Sequence, residues 1–406
     1  MKLIHMLRKH LHISTKTVIY GEMLALSLLC LSIFLYRTDS GQAVMSQAAR
    51  LARTVNPLED TNGPGQEKQE EKKKEYIKWV DFAVTSEAMN QAFRYDVDTC
   101  QAEIHLNWVD LLAYLGARYG GDFSKYKPEH MKTVAEKLKT GETTMADLTK
   151  DMKYYTYYRE AYGAVLDGMV GQFQAEIPAS EAPAAYLPSG VAGGAPGDPA
   201  TVWVTKYGLK AFSPIAKGFP YSDFDDFGVA RSYGFKRQHL GHDMMGQVGT
   251  PVIAVESGYV EAIGWNQYGG WRLGIRSFDK KRYYYYAHLR KDYPYQSNLK
   301  EGSYVQAGDV IGYLGRTGYS RTENTNNIDE PHLHFGLQLI FDESQKEGNN
   351  EIWVSCYELV KFLSMNRSQA VKVEGTKEWT RVYGTKDPQV PDTPPAEPPK
   401  APESNP

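Results

Sequence analysis

The sequence predicts a multidomain chain with an N-terminal membrane segment, a small all-α domain and then a mostly antiparallel β domain. Three observations predict this order. A basic leader runs into an apolar stretch before residue 40, apolar residues recur at helical spacing within 76–175, and glycines separate short strand-like runs over 201–365. The other segments are interpreted as a tether (41–75), a Pro/Gly-rich linker (176–200), and an extension with a disordered Pro-rich tail (366–406).

The composition is that of an ordinary globular protein. The 406 residues allow two or three domains, and 46 basic against 49 acidic residues give a formal net charge of −3. This near-neutral balance argues against nucleic acid as a partner, because nucleic-acid-binding proteins usually carry a strongly basic surface. Three cysteines without a C-x-x-C motif exclude a disulfide scaffold and a zinc ribbon.

Residues 1–40 are interpreted as a cytoplasmic leader followed by a transmembrane anchor or a signal peptide. Residues 1–16 contain four Lys or Arg residues and no acidic residue, and an apolar stretch of 14 residues follows from Met23 to Tyr36. Because the positive charges precede the apolar stretch, the N-terminus is expected to stay in the cytoplasm. An uncleaved segment predicts a single-pass protein of the cell membrane with the rest of the chain extracellular, and a cleaved one predicts a secreted protein.

The region 76–175 is predicted to be a small helical domain. Met131, Val134 and Leu138 have helical spacing, and Thr144 is a candidate N-cap for a longer helix whose apolar positions continue to Met169. The tyrosine cluster at 154–158 places aromatic rings on more than one face of that helix. We interpret it as packing, with binding of a carbohydrate or of a protein partner as the alternative.

Within the β region, two histidine motifs have the spacing of a metal site. His332 and His334 would leave the same face of a strand, which suits either one or both on a metal. His239 and Asp243 would lie about 13 Å apart in a straight strand. The chain must therefore bend if both bind one ion, and Gly241 stands at the midpoint. Two histidines with one carboxylate are a known catalytic zinc set that leaves a position for water.

A hydrolase also needs a proton acceptor and a group that stabilises the developing oxyanion. His288 and whichever of the H-x-H histidines does not bind the metal are the candidates. We therefore expect one Zn²⁺ per chain, with catalytic histidines beside it.

Five motifs together resemble the lysostaphin/LytM family of zinc endopeptidases, which cut peptidoglycan peptides. They are His239-Leu-Gly-His-Asp243, Gly249-Thr-Pro-Val-Ile-Ala-Val-Glu-Ser-Gly-Tyr-Val260, Tyr286-Ala-His-Leu289, Gly315-Arg-Thr-Gly318 and Pro331-His-Leu-His-Phe335. Their order and approximate spacing match the family over about residues 230–340. The resemblance implies a lysostaphin/LytM-type β domain over 201–365 and peptidoglycan as the substrate.

The resemblance also implies a role for each site residue. Zinc would be held by His239, Asp243 and His334. His332 would be the general base, and His288 would orient the water and stabilise the tetrahedral intermediate. Tyr286 would line the groove. His242 has no counterpart in the family pattern and receives no role.

The chain departs from the family pattern between Tyr319 and Glu330, where the loop before P-H-L-H-F is longer and Glu330 replaces a glycine. This loop is expected to border the substrate groove, and it makes a stem peptide or a D-alanyl cross-link at least as much expected as a substrate as the glycine–glycine bond that the family is best known to cut. The alternative function is a non-catalytic LytM-like scaffold or an activator of another cell-wall hydrolase.

Overall fold

The computed structural model describes residues 82–183, 185, 200–232, 236–346 and 351–391. Apart from the short segment Phe224–Val229, these residues belong to one compact unit. Within that segment the backbone N–H of Val229 donates to the carbonyl of Asp226 at 3.1 Å and closes a turn. The predicted leader with its anchor or signal (1–40), the tether (41–75) and the end of the tail (392–406) lie outside the described residues. No helix in the described ranges is long and apolar enough to cross a membrane.

The described part of the chain contains six α-helices, three with a side-chain N-cap and three without one. They are α1 (Ser86–Thr99), α2 (Trp108–Tyr119), α3 (Pro128–Lys139), α4 (Met145–Thr149), α5 (Tyr155–Leu166) and α6 (Tyr357–Leu363). The Asn107 side chain accepts from the N–H groups of Val109 and Asp110 at the start of α2, and α2 ends at Gly120 in the left-handed conformation. The predicted N-cap at Thr144 is confirmed, because its hydroxyl accepts from the N–H of Asp147 at 3.1 Å.

The single long helix predicted after Thr144 is instead two helices, α4 and α5. The hydroxyl of Thr149 donates to the carbonyl of Met145 at 2.8 Å, and the N–H of Met152 donates to the carbonyl of Thr149 at 2.9 Å. These local bonds replace helical ones and end α4 after five residues. The break leaves Tyr154 55% exposed, whereas Tyr158 is buried in the core. Most of the tyrosine cluster therefore packs against the protein interior.

The strands form one large antiparallel sheet and several small ones. They are β1 (Val170–Pro178), β2 (Thr201–Leu209), β3 (Ala230–Ser232), β4 (Lys236–Gln238), β5 (His242–Met245), β6 (Pro251–Ile253), β7 (Gly258–Asn266), β8 (Gly270–Ser277), β9 (Arg282–Ala287), β10 (Tyr304–Val305), β11 (Val310–Tyr313), β12 (His332–Leu339), β13 (Ile352–Val354), β14 (Ala370–Lys372), β15 (Trp379–Arg381) and β16 (Thr385–Lys386). The large sheet has the order β10-β7-β8-β9-β12-β13, with β5 also paired to β12. The predicted antiparallel β domain is thus confirmed.

The large sheet has one core face and one outer face, as the two-residue period of its strands requires. On the core face, Tyr284 and Tyr286 are fully buried, and their rings pack against Phe335 with centroids 6.2 and 5.4 Å away. The alternate residues of β9, Tyr283 and Tyr285, are half-buried on the opposite face. Side chains that face outward from β9 and β12 are therefore the ones available to a substrate.

The helical region, predicted as a small all-α domain at 76–175, shares one hydrophobic core with the sheet. The ring of Phe362 on α6 lies 5.6 Å from that of Trp108 on α2 and 6.0 Å from that of Phe93 on α1. The backbone N–H of Ser86 donates to a carboxylate oxygen of Glu358 at 2.6 Å. The first helices and the last one are thus parts of one hydrophobic cluster that continues into the sheet.

The predicted linker at 176–200 overlaps a strand. β1 crosses the predicted boundary at residue 175 and pairs with β2 from Val170 opposite Leu209 to Pro178 opposite Thr201. Pro178 is tolerated because it is the last residue of its strand. The C-terminal extension is ordered as well, since Gln174 of β1 pairs with Lys386 of β16. Next to this pairing, Lys210 and Asp387 form a buried ion pair at 3.0 Å.

A buried polar network joins the helical region to the sheet. Arg282 on β9 is 1% exposed and donates to both carboxylate oxygens of Glu256, at 2.8 and 3.0 Å. Its remaining nitrogen donates to the carbonyl of Ala164 in α5 at 3.1 Å, and the hydroxyl of Tyr284 donates to Glu256 at 2.6 Å. Because each buried charge has partners, the network can persist in the interior.

We expect Arg282→Ala to lower the free energy of unfolding by about 3–5 kcal/mol, because it leaves the Glu256 carboxylate buried without its counter-charge. Urea unfolding followed by circular dichroism measures this change. Lys139→Ala is the matched control, because Lys139 forms an exposed ion pair with Glu136 at 3.6 Å and its loss should change nothing measurable. Equal stability of Arg282→Ala and the wild type would show that the network does not hold the two regions together.

Candidate active site

Three of the sequence-predicted site residues meet at one point on the outer face of the large sheet. His239 Nε2 lies 3.1 Å from Asp243 Oδ1 and 3.1 Å from His334 Nδ1, and His334 Nδ1 lies 2.8 Å from Asp243 Oδ1. These donor atoms form a nearly equilateral triangle. Among the described residues, the three side chains form a group whose ligand atoms lie close enough together to hold a metal ion. We call His239, Asp243 and His334 the metal triad.

The register of two strands positions the triad. Asp243 on β5 lies directly opposite His334 on β12 in an antiparallel pair, so both side chains leave the same face at close range. His239 follows the end of β4, and the chain turns at Leu240 and Gly241 before β5 begins. The bend predicted between His239 and Asp243 is thus present, and it brings the two side chains into contact.

Gly241 serves the triad by its lack of a side chain. Its φ lies outside the left-handed region, so the bend does not require glycine for backbone reasons. A Cβ at this position would meet Cε1 and Nε2 of His334, each at 2.5 Å, and the carbonyl of Phe335 at 3.0 Å. Glycine is therefore needed because the imidazole of His334 occupies the space where any other side chain would begin.

The protonation states of the triad suit a bound cation. Burial alone would raise the pKa of Asp243, but the hydrogen bonds from His239 and His334 outweigh burial and hold this pKa well below its ordinary value. Burial lowers the pKa of His334, although Asp243 opposes the shift. The triad thus favours an ionised carboxylate and a neutral imidazole at neutral pH, which are the forms that bind metals.

The spacing of the donor atoms also suits zinc. Four ligands at about 2.0–2.1 Å from a tetrahedral Zn²⁺ are separated from one another by roughly 3.3 Å. The three separations in the triad are between 2.8 and 3.1 Å. A small outward movement of the side chains accommodates the ion, and three protein ligands leave one tetrahedral position for water.

Arg231, which the sequence analysis did not single out, contacts the triad from the β3–β4 hairpin. Its Nη1 lies 2.8 Å from Oδ2 of Asp243, and its Nη2 lies 3.3 Å from Nδ1 of His239. The guanidinium thus contacts the carboxylate oxygen that does not face the other two ligands. No motif marks this arginine, because its place depends on the hairpin folding back over the sheet.

The two predicted catalytic histidines lie beside the triad with their rings 4.8 Å apart. His332 Nδ1 lies 2.8 Å from the carbonyl of Glu330, and His288 Nδ1 lies 2.9 Å from the carbonyl of Thr317. A carbonyl only accepts hydrogen bonds, so each Nδ1 carries the proton and each Nε2 is left as an acceptor. His332 Nε2 is 3.8 Å from Asp243 Oδ1, so this acceptor lies next to the triad.

The environment of His288 keeps it neutral. Burial, assisted by His332 and His334, lowers the pKa of His288 well below its ordinary value. Its backbone has φ = +60°, an uncommon conformation for a residue other than glycine, and its N–H donates to the carbonyl of Gly269 at 2.7 Å. Such strained backbone is often found at functional sites, where the surrounding structure stabilises it.

The expectation that Tyr286 lines the groove is wrong. Tyr286 lies on the core face, where its hydroxyl accepts a hydrogen bond from the N–H of Val255 at 3.0 Å. The neighbouring Tyr285 faces outward instead, with its ring 6.0 Å from that of His334. The left-handed backbone at His288 ends the strand alternation, and so Tyr286 and His288 reach opposite sides although they are two residues apart.

The long loop after Gly318 lies beside His288. The ring of Tyr319 lies 5.8 Å from that of His288. Backbone bonds from Tyr319 and Ser320 to the carbonyls of Tyr268 and Gln267 fasten the start of the loop to the β7–β8 turn, and Asn324 accepts from the indole N–H of Trp271 at 2.9 Å. The loop therefore forms a fixed wall of the site.

The other described histidines lie away from the triad or face the core. His242, adjacent to Asp243, is buried, and its Nε2 lies 2.8 Å from a carboxylate oxygen of Asp223. His105 contacts the buried Asp96, and His130 contacts the hydroxyl of Tyr119. These contacts are structural, in agreement with the absence of an assigned role for His242.

The comparison with protein families matches the part of the chain that holds the site. The model for peptidase family M23 matches residues 237–347. The L-Ala–D-Glu endopeptidase of Bacillus subtilis (strain 168) is 39% identical over 124 residues, which are 30% of this chain and 36% of that protein. Lysostaphin of Staphylococcus simulans is 41% identical over 98 residues, 24% of this chain and 17% of that protein. The matches thus span little more than a third of the first of these relatives and less than a fifth of the second.

A solved structure gives a further comparison. The catalytic domain of lysostaphin from Staphylococcus simulans is 32% identical, with 35% of this chain and 92% of that chain covered and a TM-score of 0.27. The residues that the family model matches include the metal triad and the two adjacent histidines. Residues 237–347 are a peptidase family M23 domain, homologous to the lysostaphin/LytM-type endopeptidases.

Proposed function

We propose that the protein is an extracytoplasmic zinc-dependent endopeptidase that hydrolyses peptide bonds in the stem peptides or cross-links of bacterial peptidoglycan. The observation that carries the proposal is the convergence of His239, Asp243 and His334, whose donor atoms lie 2.8–3.1 Å apart. The names of the relatives support the substrate class, since they include an L-Ala–D-Glu endopeptidase and a peptidoglycan DD-endopeptidase of Vibrio cholerae.

The triad would hold one Zn²⁺, which would polarise the scissile carbonyl and acidify a water molecule. His332 and His288 each present an unprotonated Nε2 beside the triad. Two acceptors at one place can bind both protons of an attacking water and so fix its orientation. His332, the nearer to Asp243, would take the proton as general base. Once protonated, a histidine here becomes a donor that can stabilise the developing oxyanion.

A non-catalytic scaffold or activator of another hydrolase is the competing function. Such a role would not require a complete set of metal ligands with two adjacent histidines. All five side chains are present and meet at one point, which favours the enzyme.

We also propose that residues 1–40 place this domain outside the cytoplasm. The basic leader and the apolar stretch that follows it are typical of an anchor or a signal peptide. The anchor would give a single-pass protein of the cell membrane with an extracellular catalytic domain, and cleavage would give a secreted enzyme. Peptidoglycan lies on that side of the membrane, so this location agrees with the proposed substrate.

A cell-wall or divisome-type protein partner of the helical region remains part of the proposal. Exposed Tyr154 at the break between α4 and α5 is a candidate contact. Removing residues 76–175 is not a clean test of this role, because it would uncover the ring of Phe362 and the carboxylate of Glu358. Substitution of surface residues such as Tyr154 tests it without this damage.

The first prediction from the proposed function concerns metal content. After incubation with zinc and removal of the excess, the wild-type protein should retain close to one Zn²⁺ per chain, measured by inductively coupled plasma mass spectrometry. His334→Ala removes one of three ligands and should bring retention close to zero. His130→Gln, which alters a histidine of the helical region, should retain zinc like the wild type. Retention well below one by the wild type would favour the non-catalytic function.

The second prediction concerns the two histidines beside the triad. His332→Ala and His288→Ala should each lower kcat by roughly 10²–10⁴-fold, because each removes a group that orients or deprotonates the water. Zinc content should stay unchanged, which separates this effect from loss of the metal. The assay is the release of new amino groups from isolated murein of several chemotypes. His105→Gln is the matched control, and full activity of both alanine variants would contradict the assigned roles.

The third prediction concerns the N-terminus. Mass spectrometry of the protein from membrane and secreted fractions should find either the intact leader in the membrane fraction or a start near residues 44–50 in the secreted one. The small residues Ala43, Ser46, Ala48 and Ala49 make cleavage there compatible with signal-peptide processing. An intact leader on protein confined to the cytoplasm would exclude the proposed location.

A further inference from the structure

The motif Gly315-Arg-Thr-Gly318 supplies a buried threonine beside the candidate catalytic histidines. Thr317 is fully buried, and its hydroxyl donates to the carbonyl of Leu289 at 2.6 Å and accepts from the backbone N–H of Trp271 at 3.1 Å. The carbonyl of Thr317 accepts from Nδ1 of His288 at 2.9 Å. Thr317 thus holds the ring of His288 through its main chain and the backbone next to His288 through its side chain.

The backbone around His288 departs from the regular pairing of β8 with β9. Leu273 pairs with Tyr286. An unbroken register two residues further along would place Trp271 opposite His288. Instead, the N–H of Leu289 donates to the carbonyl of Trp271 at 3.0 Å. His288 is therefore one residue in excess, as in a β-bulge, and bulges beside active sites re-aim a side chain.

The hydroxyl of Thr317 lies where a hydrogen bond between the two strands would otherwise form. In a regular antiparallel ladder, opposite residues of a hydrogen-bonded pair exchange both N–H···O bonds. One such bond joins Leu289 to Trp271, and the hydroxyl of Thr317 bridges the two groups that the second bond would have joined. The side chain thus replaces that bond and keeps the ladder open at the bulge.

Gly270 allows Thr317 to approach β8 this closely. A Cβ at Gly270 would meet the carbonyl carbon and oxygen of Thr317 at 2.4 and 2.5 Å, and the φ of Gly270 is +65°. The backbone of His288, with φ = +60°, is strained for a residue other than glycine. Such backbone persists only where the surrounding structure holds it, and the bonds of Thr317 are part of that support.

We propose that Thr317 is a positioning residue for His288. Its hydroxyl stabilises the bulge that turns this histidine toward the metal triad, where the rings of His288 and His334 lie 5.8 Å apart. Its carbonyl keeps the proton on Nδ1 of His288 and leaves Nε2 as the acceptor. The inference rests on the proposed endopeptidase function and assigns the support of one of its two histidines.

The first test replaces the hydroxyl by a methyl group. In Thr317→Val, the N–H of Trp271 and the carbonyl of Leu289 lose their shared partner. They can satisfy each other only by closing the ladder, which displaces His288. We expect kcat on isolated murein to fall by roughly 10- to 100-fold, as for a shift of about 1 Å in a reacting group, while KM and zinc retention stay close to the wild type. Thr317→Ser keeps the hydroxyl and should restore most of kcat.

Thr99 offers the matched control, because it is another buried threonine whose hydroxyl bridges two main-chain groups. It donates to the carbonyl of Tyr95 at 2.7 Å and accepts from the N–H of Leu106 at 2.9 Å, in the helical region. Thr99→Val loses the same two kinds of bond and should keep the wild-type kcat at a temperature where circular dichroism shows all variants folded. An equal fall in kcat for Thr99→Val and Thr317→Val would overturn the proposal, because a general loss of stability would explain both.

A second measurement does not depend on activity. In protein labelled with ¹⁵N-histidine and incubated with zinc, the NMR signals of His288 are assigned by comparison with His288→Gln. They should show the proton on Nδ1 in the wild type and in Thr317→Ser, whereas Thr317→Val should place the proton on Nε2 in part of the molecules.

The outcomes separate the inference from the proposed function. An unchanged kcat in Thr317→Val, an equal loss in Thr317→Ser, or wild-type His288 signals in Thr317→Val overturns the role of Thr317 and leaves the endopeptidase standing. A wild-type protein that cuts no murein contradicts the proposed function, and the NMR comparison still decides whether Thr317 positions His288.

Discussion

The pairing of β5 with β12 is the constraint on which the candidate site depends. It sets Asp243 opposite His334, and a slip of one residue would turn one of these side chains to the other face of the sheet. The register is held from the core side, where Met244 opposite Leu333 and His242 opposite Phe335 are buried. The hydrophobic interior thus determines the position of the polar groups on the outer face, and the electrostatic attraction within the triad follows from that placement.

The sequence predicts those parts of the site that depend on residues close together in the chain. The two-residue period of a strand predicts that His332 and His334 share a face, and the distance between His239 and Asp243 predicts a bend. The contacts of Arg231 depend on which strands become neighbours, which a single sequence does not reveal. Tyr286 shows the opposite failure, because a motif suggested the groove whereas the strand alternation places this ring in the core.

In the overall fold, too, features that depend on nearby residues are predicted, and those that depend on distant residues are not. The helix α3 and the antiparallel sheet are apparent from periodicity, whereas the union of the helical region with the sheet is not. It depends on Phe362 near the end of the chain meeting Trp108 and Phe93 near its beginning, a contact between residues far apart in the sequence. The sequence does not predict the strand β1, for a different reason. Its last residue is Pro178, and proline-rich composition is typical of linkers as well as of strand ends.

The two histidines beside the triad, His332 and His288, are oriented by main-chain oxygens, those of Glu330 and Thr317, and not by side chains. Every residue type supplies the same carbonyl, so the tautomer of His332 does not depend on which amino acid precedes the P-H-L-H-F segment. Glu330 can stand where relatives of this type have glycine without altering the chemistry of the neighbouring imidazole. The loop beside these histidines can therefore differ in length and in charge without changing which ring nitrogen of His332 carries the proton.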